Sequence, residues 1–138
     1  MLWLALYFPA LPLEIYTRGA VDERPCAVTE RRDGREVVAR CNPAANRQGI
    51  HTGQSLNTAL ALAQGLQVRI RDRDAEQQAL QDLAQWAYQF SDRILFDPLM
   101  LLLEIGASLR LFGGLEPLMQ QLLNEITALR HQPRHAIA

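Results

Sequence analysis

"DPLMLLLEIGAS", Asp97 to Ser108, decides the fold. Five apolar residues, Leu99 to Leu103, run unbroken between Asp97-Pro98 and Glu104. A half-exposed strand would alternate, and a helix would place polar residues every third or fourth position. A run this short and continuous predicts a strand buried on both faces, at the centre of a sheet. In α/β domains the ends of such strands border ligand sites, so the end residues here bear on function.

Working outward, "LWLALYF", Leu2 to Phe8, is a second continuous run and predicts another interior strand, ended by Pro9. "LPLEIYTRG" predicts a short helix closed by Gly19. Cys26 to Glu30 and Glu36 to Cys41 flank Asp33-Gly34, a strong hairpin signal. Asn42-Pro43 opens a short helix through Arg47 with Gly49 as its stop, and Ser55 caps "LNTALALAQ", ended by Gly65. Leu66, Val68 and Ile70 alternate with Gln67, Arg69 and Arg71, as in a strand with one polar face near a sheet edge. Asp74 and Gln77 resemble a capping box ahead of the helical stripe Leu80, Leu83, Ala84, Ala87 and Phe90. Leu115, Leu118, Met119, Leu122, Leu123, Ile126 and Leu129 share one face of a last helix, with Pro117 in its first turn. Pro133 stops any continuation, and "HAIA" predicts a final strand. The order is that of an α/β or α+β domain, a mixed central sheet with helices packed mainly on one face.

A length of 138 residues suits one domain burying about two thirds of its surface on folding. Hydrophobic content of 49% excludes a disordered tail or a charged linker. The net charge of −1 gives no whole-domain case for nucleic-acid binding, so any DNA contact is local. Cys26 and Cys41 lack CxxC spacing and a neighbouring His, which favours a reduced pair over a disulfide or a metal site. The apolar N-terminus has no basic leader region, is interrupted by Pro9 and Pro12, and is too short and broken to span a bilayer. These features predict a cytoplasmic protein with no membrane partner.

Several chemistries lack their residues. No GxxxxGK, GxGxxG or GxSxG stands in the chain, and Gly113-Gly114 reads as a plain turn rather than an anion site. His131 and His135 are four apart, but Pro133 between them rules out a helical metal pair; with His51 they are expected to be solvated loop residues. Asp22, Glu23, Glu30, Asp33, Asp72 and Asp74 fall at exposed or capping positions. Arg31, Arg32, Arg35, Arg40 and Arg47 make the hairpin and its sequel locally basic, either a solvated face or a surface contacting a nucleic-acid backbone.

"LWLALYFPALPLEI", "PCAVTE", "VVARCNPAANRQGIHTGQSL", "FDPLMLLLEIGAS" and "LRLFGGLEPL" follow one another in the order seen in the N-terminal half of Y-family translesion DNA polymerases. Together they most closely resemble the ImuB-type branch, which is polymerase-like and catalytically degenerate. The resemblance covers nearly the whole chain and implies a palm-like fold with a small fingers-like hairpin and helix insertion, about residues 20–65. It also implies an N-terminal fragment of a longer protein.

In active members the first strand carries a DxDxF-type motif followed by a Glu, which Glu14 matches. Counting back from it, the first metal-binding Asp falls on Ala5, the second acid on Tyr7, and the aromatic that screens the sugar on Ala10. The family's later hairpin reads S-I-D-E-A-F-L-D-V-T, and its L-D-V-T matches Leu103 to Gly106. The catalytic Asp-Glu pair then falls on Leu99 and Met100. A two-residue gap would instead align Asp97 with the Asp and Pro98 with the Glu, and Ala5 would still leave the triad incomplete. The triphosphate-binding Tyr and Arg of the fingers fall on Pro43 and Asn46. Two Mg²⁺ ions need carboxylate ligands, which Ala, Leu and Met do not provide. By resemblance, then, no cofactor or metal is expected. The role implied is a non-catalytic adaptor in SOS mutagenesis and translesion synthesis. It would work with a RecA-like accessory protein, an error-prone replicative-type polymerase and the sliding clamp, and touch DNA weakly if at all. The alternatives are an active nucleotidyltransferase with an atypical metal site and a stand-alone protein-interaction domain.

Overall fold

The computed structural model describes residues 1–17 and 24–138. The expected Gly19 stop and the acids Asp22 and Glu23 lie outside the described residues. In chain order the elements are β1 (Trp3–Tyr7), α1 (Leu11–Thr17), β2 (Cys26–Arg32), β3 (Arg35–Cys41), α2 (Pro43–Arg47), α3 (Leu56–Leu62) and β4 (Gln67–Ile70). There follow α4 (Arg73–Ala87), β5 (Ile94–Asp97), β6 (Met100–Glu104), a 3-10 turn (Gly106–Ser108), α5 (Leu109–Phe112), α6 (Leu115–Ala128) and β7 (Arg134–Ile137). The α/β class expected from sequence is what the chain adopts, divided into two compact units.

The first unit comprises Met1–Leu11 and Asp74–Ala138. Its four strands pair in the order β5-β6-β1-β7, antiparallel throughout. Of the run Leu99 to Leu103, Met100 to Leu103 do lie in an interior strand, but that strand is not buried on both faces. Leu101 and Leu103 are fully buried, whereas Met100 and Leu102 are half-buried. β1 behaves alike, with Leu4 and Leu6 inside and Tyr7 exposed. Helices explain the difference: they supply buried stripes for one face only, Leu80, Leu83, Ala84 and Ala87 from α4 and Leu118, Leu122 and Ile126 from α6. α4 begins at Arg73, so Asp74 sits inside the first turn rather than at the cap. β5 had no sequence signal of its own, being four residues with no alternation to read. His131, expected in solvent, is only 1% exposed and meets the Phe8 ring edge-to-face at 5.8 Å.

The second unit, Pro12–Arg73, carries the three-stranded sheet β3-β2-β4, with β2–β3 antiparallel and β2–β4 parallel. Here stands a strand that is buried on both sides. Ala27 packs with Val38, Ala45, Ile50, Ala59 and Ala63 on one face, while Cys26 and Val28 pack with Leu13 on the other. The hairpin turns at Asp33 and Gly34, both at positive φ, the conformation that favours this pair of residues. Asn42 caps α2 by accepting from the Ala45 N–H at 2.9 Å, and Ser55 caps α3 by accepting from Thr58 at 3.2 Å. α3 stops at Leu62, earlier than Gly65 suggested, because Ala63 already has an extended backbone. Both cysteines are free thiols.

Candidate functional site

The register of the four-stranded sheet fixes which residues meet. Tyr7 pairs with Met100 and Ala5 with Leu102, so all four side chains share the open face of the sheet. Ala5 and Met100 are thus diagonal neighbours across two strands, about 7–8 Å apart. Leu99 lies beside them in the two-residue turn that joins β5 to β6, and its carbonyl accepts the Phe8 N–H at 2.7 Å. Ala5, Tyr7, Leu99 and Met100, four of the positions singled out in the sequence, therefore converge on one corner. They are not packed dry: Ala5, Leu99 and Met100 are half-buried and Tyr7 is 37% exposed.

Leu99 has φ of +57°, a left-handed conformation that costs a β-carbon about 1–2 kcal/mol. The turn demands it, because Asp97 and Met100 pair directly with only Pro98 and Leu99 between them.

Few acids lie near this corner. Asp97 ends the edge strand β5 opposite Met100, one strand further from β1, and is exposed. β7 brings Arg134 opposite Tyr7, a cation on the same face. Glu104 is 6% exposed and already committed: one oxygen accepts from the Leu2 N–H at 3.1 Å and the Gly106 N–H at 2.8 Å. These two backbone bonds hold its carboxyl below the ordinary value, outweighing burial. Gly106 leaves room for that carboxylate: a Cβ there would stand 2.7 Å from the same oxygen and 3.3 Å from the Leu2 nitrogen, so the Glu104 side chain would have to shift. Among the described residues no group of three His, Cys, Asp or Glu side chains could hold a metal ion. Alanine, leucine, methionine and a nearby arginine do not fit a pair of Mg²⁺ ions, which require oxygen ligands.

In the second unit, Pro43 and Asn46 are exposed on α2. The five arginines do not form one surface: Arg47 is exposed at the end of α2, and the other four lie on β2 and β3. Strand alternation, with a register shift at Val28/Thr29, sets Arg32, Arg35 and Arg40 on the face of Glu30, and Arg31 on the opposite face with Glu36. Arg31 approaches Glu36 at 3.9 Å. Glu30 gathers Arg32 at 2.6 Å, Arg71 at 3.0 Å and Arg73 at 3.1 Å. Partial burial pushes the Glu30 carboxyl up, but Arg32 and Arg71 together outweigh it and hold the group below its ordinary value. Arg69 pairs with Val28 and so joins Arg35 and Arg40 on that face. Its alternation with Val68 and Ile70 was the signal that could have added it to the basic set.

A model of the impB/mucB/samB family matches residues 12–133. The chain belongs to the impB/mucB/samB family. Solved structures agree on the fold. The Dbh DNA polymerase in an insertion ternary complex superposes with a TM-score of 0.75 at 15% identity, over 100% of this chain and 42% of that one. DinB from Sulfolobus solfataricus gives 0.70 at 14% over 100% and 42%, and a Y-family DNA polymerase chimera containing Dbh gives 0.73 at 13% over 99% and 42%. This impB/mucB/samB chain thus has a Y-family polymerase fold and spans under half the length of those structures. No curated protein matches it. No described helix is long and apolar enough to cross a membrane.

Proposed function

We propose that this impB/mucB/samB domain is a non-catalytic, polymerase-like adaptor of translesion synthesis and SOS-induced mutagenesis. One observation carries the reading: the corner formed by Ala5, Tyr7, Leu99 and Met100 holds no carboxylate and lies beside Arg134 on the same sheet face, where resemblance to active Y-family enzymes would set metal-binding carboxylates. Two-metal phosphoryl transfer needs those oxygens to activate the primer hydroxyl and to neutralise the leaving group. Without them the domain retains a scaffold role. The RecA-like accessory protein, the error-prone replicative-type polymerase and the sliding clamp are its partners by resemblance, with weak DNA contact through Arg35, Arg40 and Arg69.

Asp97 supports the alternative of an active nucleotidyltransferase with an atypical site. Its place on β5, with β6 between it and β1, weighs against that, since a single exposed carboxylate does not hold two metals. The test is primer extension by the full-length protein in Mg²⁺ or Mn²⁺. No incorporation above background is expected. Incorporation that Asp97→Ala abolishes would establish the alternative.

A further inference from the structure

Among the described residues β5 is an edge strand, with β6 on one side and no strand on the other. The Glu104 N–H donates to the Arg93 carbonyl at 3.0 Å, so Arg93, and by alternation Leu95 and Asp97, direct their backbone groups at β6. Ile94 and Phe96 then direct theirs outward, and neither bonds a described residue there. No lysine or proline lies within the strand, and its register with β6 runs without a bulge, so its short length and Asp97 are what guard the edge. Leu95 is 55% exposed and Phe96 46%.

The segment Arg93-Ile94-Leu95-Phe96-Asp97 is also complementary to itself: a cation, three apolar residues, an anion. Pairing with an antiparallel copy centred on Leu95 sets Arg93 against the second copy's Asp97, Ile94 against Phe96, and Leu95 against itself. The outward groups of Ile94 and Phe96 then meet each other. A one-residue slip would set outward groups against inward ones. A two-residue slip either brings Pro98, which has no N–H, opposite Ile94 or sets Arg93 opposite Leu95; both separate the charges. Arg93 and Asp97 are exposed and neither forms an ion pair among the described residues.

We propose that the chain forms a two-fold dimer by pairing β5 of two copies about Leu95. Four backbone hydrogen bonds and two reciprocal Arg93–Asp97 ion pairs hold it, and the two sheets become one of eight strands. The same patch serves both copies, as a closed two-fold contact requires.

Sedimentation equilibrium of the full-length protein tests this, and a concentration-dependent dimer is expected. Arg93→Asp and Asp97→Arg, each alone, face like charges across both symmetric contacts and weaken dimerisation about tenfold. The double variant restores it. Leu95→Cys gives an independent readout. Residues paired without hydrogen bonds lie about 4.5 Å apart at Cα, within disulfide range, so mild oxidation cross-links the variant far faster than the parent with its Cys26 and Cys41. A protein that stays monomeric at all concentrations overturns the proposal. So does a dimer indifferent to both single reversals, or Leu95→Cys cross-linking no faster than the parent.

Discussion

Leu99 shows what a single residue at this corner has to satisfy. It stands at a position where resemblance sets a catalytic Asp, yet its backbone has φ of +57°, which aspartate tolerates better than leucine. Returning the acid therefore costs little in folding: Leu99→Asp is expected to change stability by less than about 1 kcal/mol, gained strain relief offsetting lost apolar contact. Leu99→Ile, β-branched at the same φ, should lose about 1–2 kcal/mol. Urea melts of the two variants check both. The double variant Leu99→Asp/Met100→Glu should show no Mg²⁺-dependent rise in melting temperature, because Ala5 leaves its metal set incomplete. At the other end of β6, Gly106→Ala forces the Glu104 carboxylate off its two N–H donors and should lower the melting temperature. Glu104 has a depressed carboxyl, so its stabilisation is full above the ordinary carboxylate range and is lost as pH falls through its lowered value. Glu104→Gln should flatten that acid limb of the melting-temperature profile.

At the scale of elements, charge and burial are shared in ways a linear reading does not reveal. Glu30 looked like one more hairpin acid, but its side chain is 12% exposed and binds three arginines, two of them more than forty residues away in sequence. It joins β2 to the segment after β4. Glu30→Gln should cost about 1–3 kcal/mol by chemical denaturation, the range for a hydrogen-bonded charge losing its partner. The Glu30 share of stability is full above the ordinary carboxylate range and is lost as pH falls through its lowered value. The hairpin, both caps and the two long amphipathic helices were legible because turn chemistry, cap chemistry and period are local signals. β5 and the burial of β2 on both faces were not. β5 is too short for periodicity, and "CAVT" gains its second buried face from Leu13, a contact no window of sequence contains. The candidate corner was legible only through family resemblance, and the paired register of β1 and β6 is what brings its members together.

For the molecule as a whole, a charge of −1 leaves nucleic-acid contact to whatever cations the fold leaves uncommitted. Counting arginines along the hairpin overstates that supply, because Arg32 is bound to Glu30 and Arg31 lies on the other face beside Glu36. Arg35, Arg40 and Arg69 share a face and form no ion pair among the described residues. Each phosphate neutralised on duplex DNA contributes about −0.9 to the slope of log affinity against log salt. Three such contacts set a slope no steeper than about −3, weak binding that fades well before 200 mM salt. Replacing Arg35, Arg40 and Arg69 by alanine should bring the slope close to zero. Glu30→Gln should act in the opposite direction, since it releases Arg32 and Arg73 toward solvent, and should steepen the slope even as it destabilises the fold. Fluorescence anisotropy of a labelled duplex across a salt series measures all three proteins. Tight binding that persists in high salt would mean that base stacking, rather than these arginines, holds the DNA.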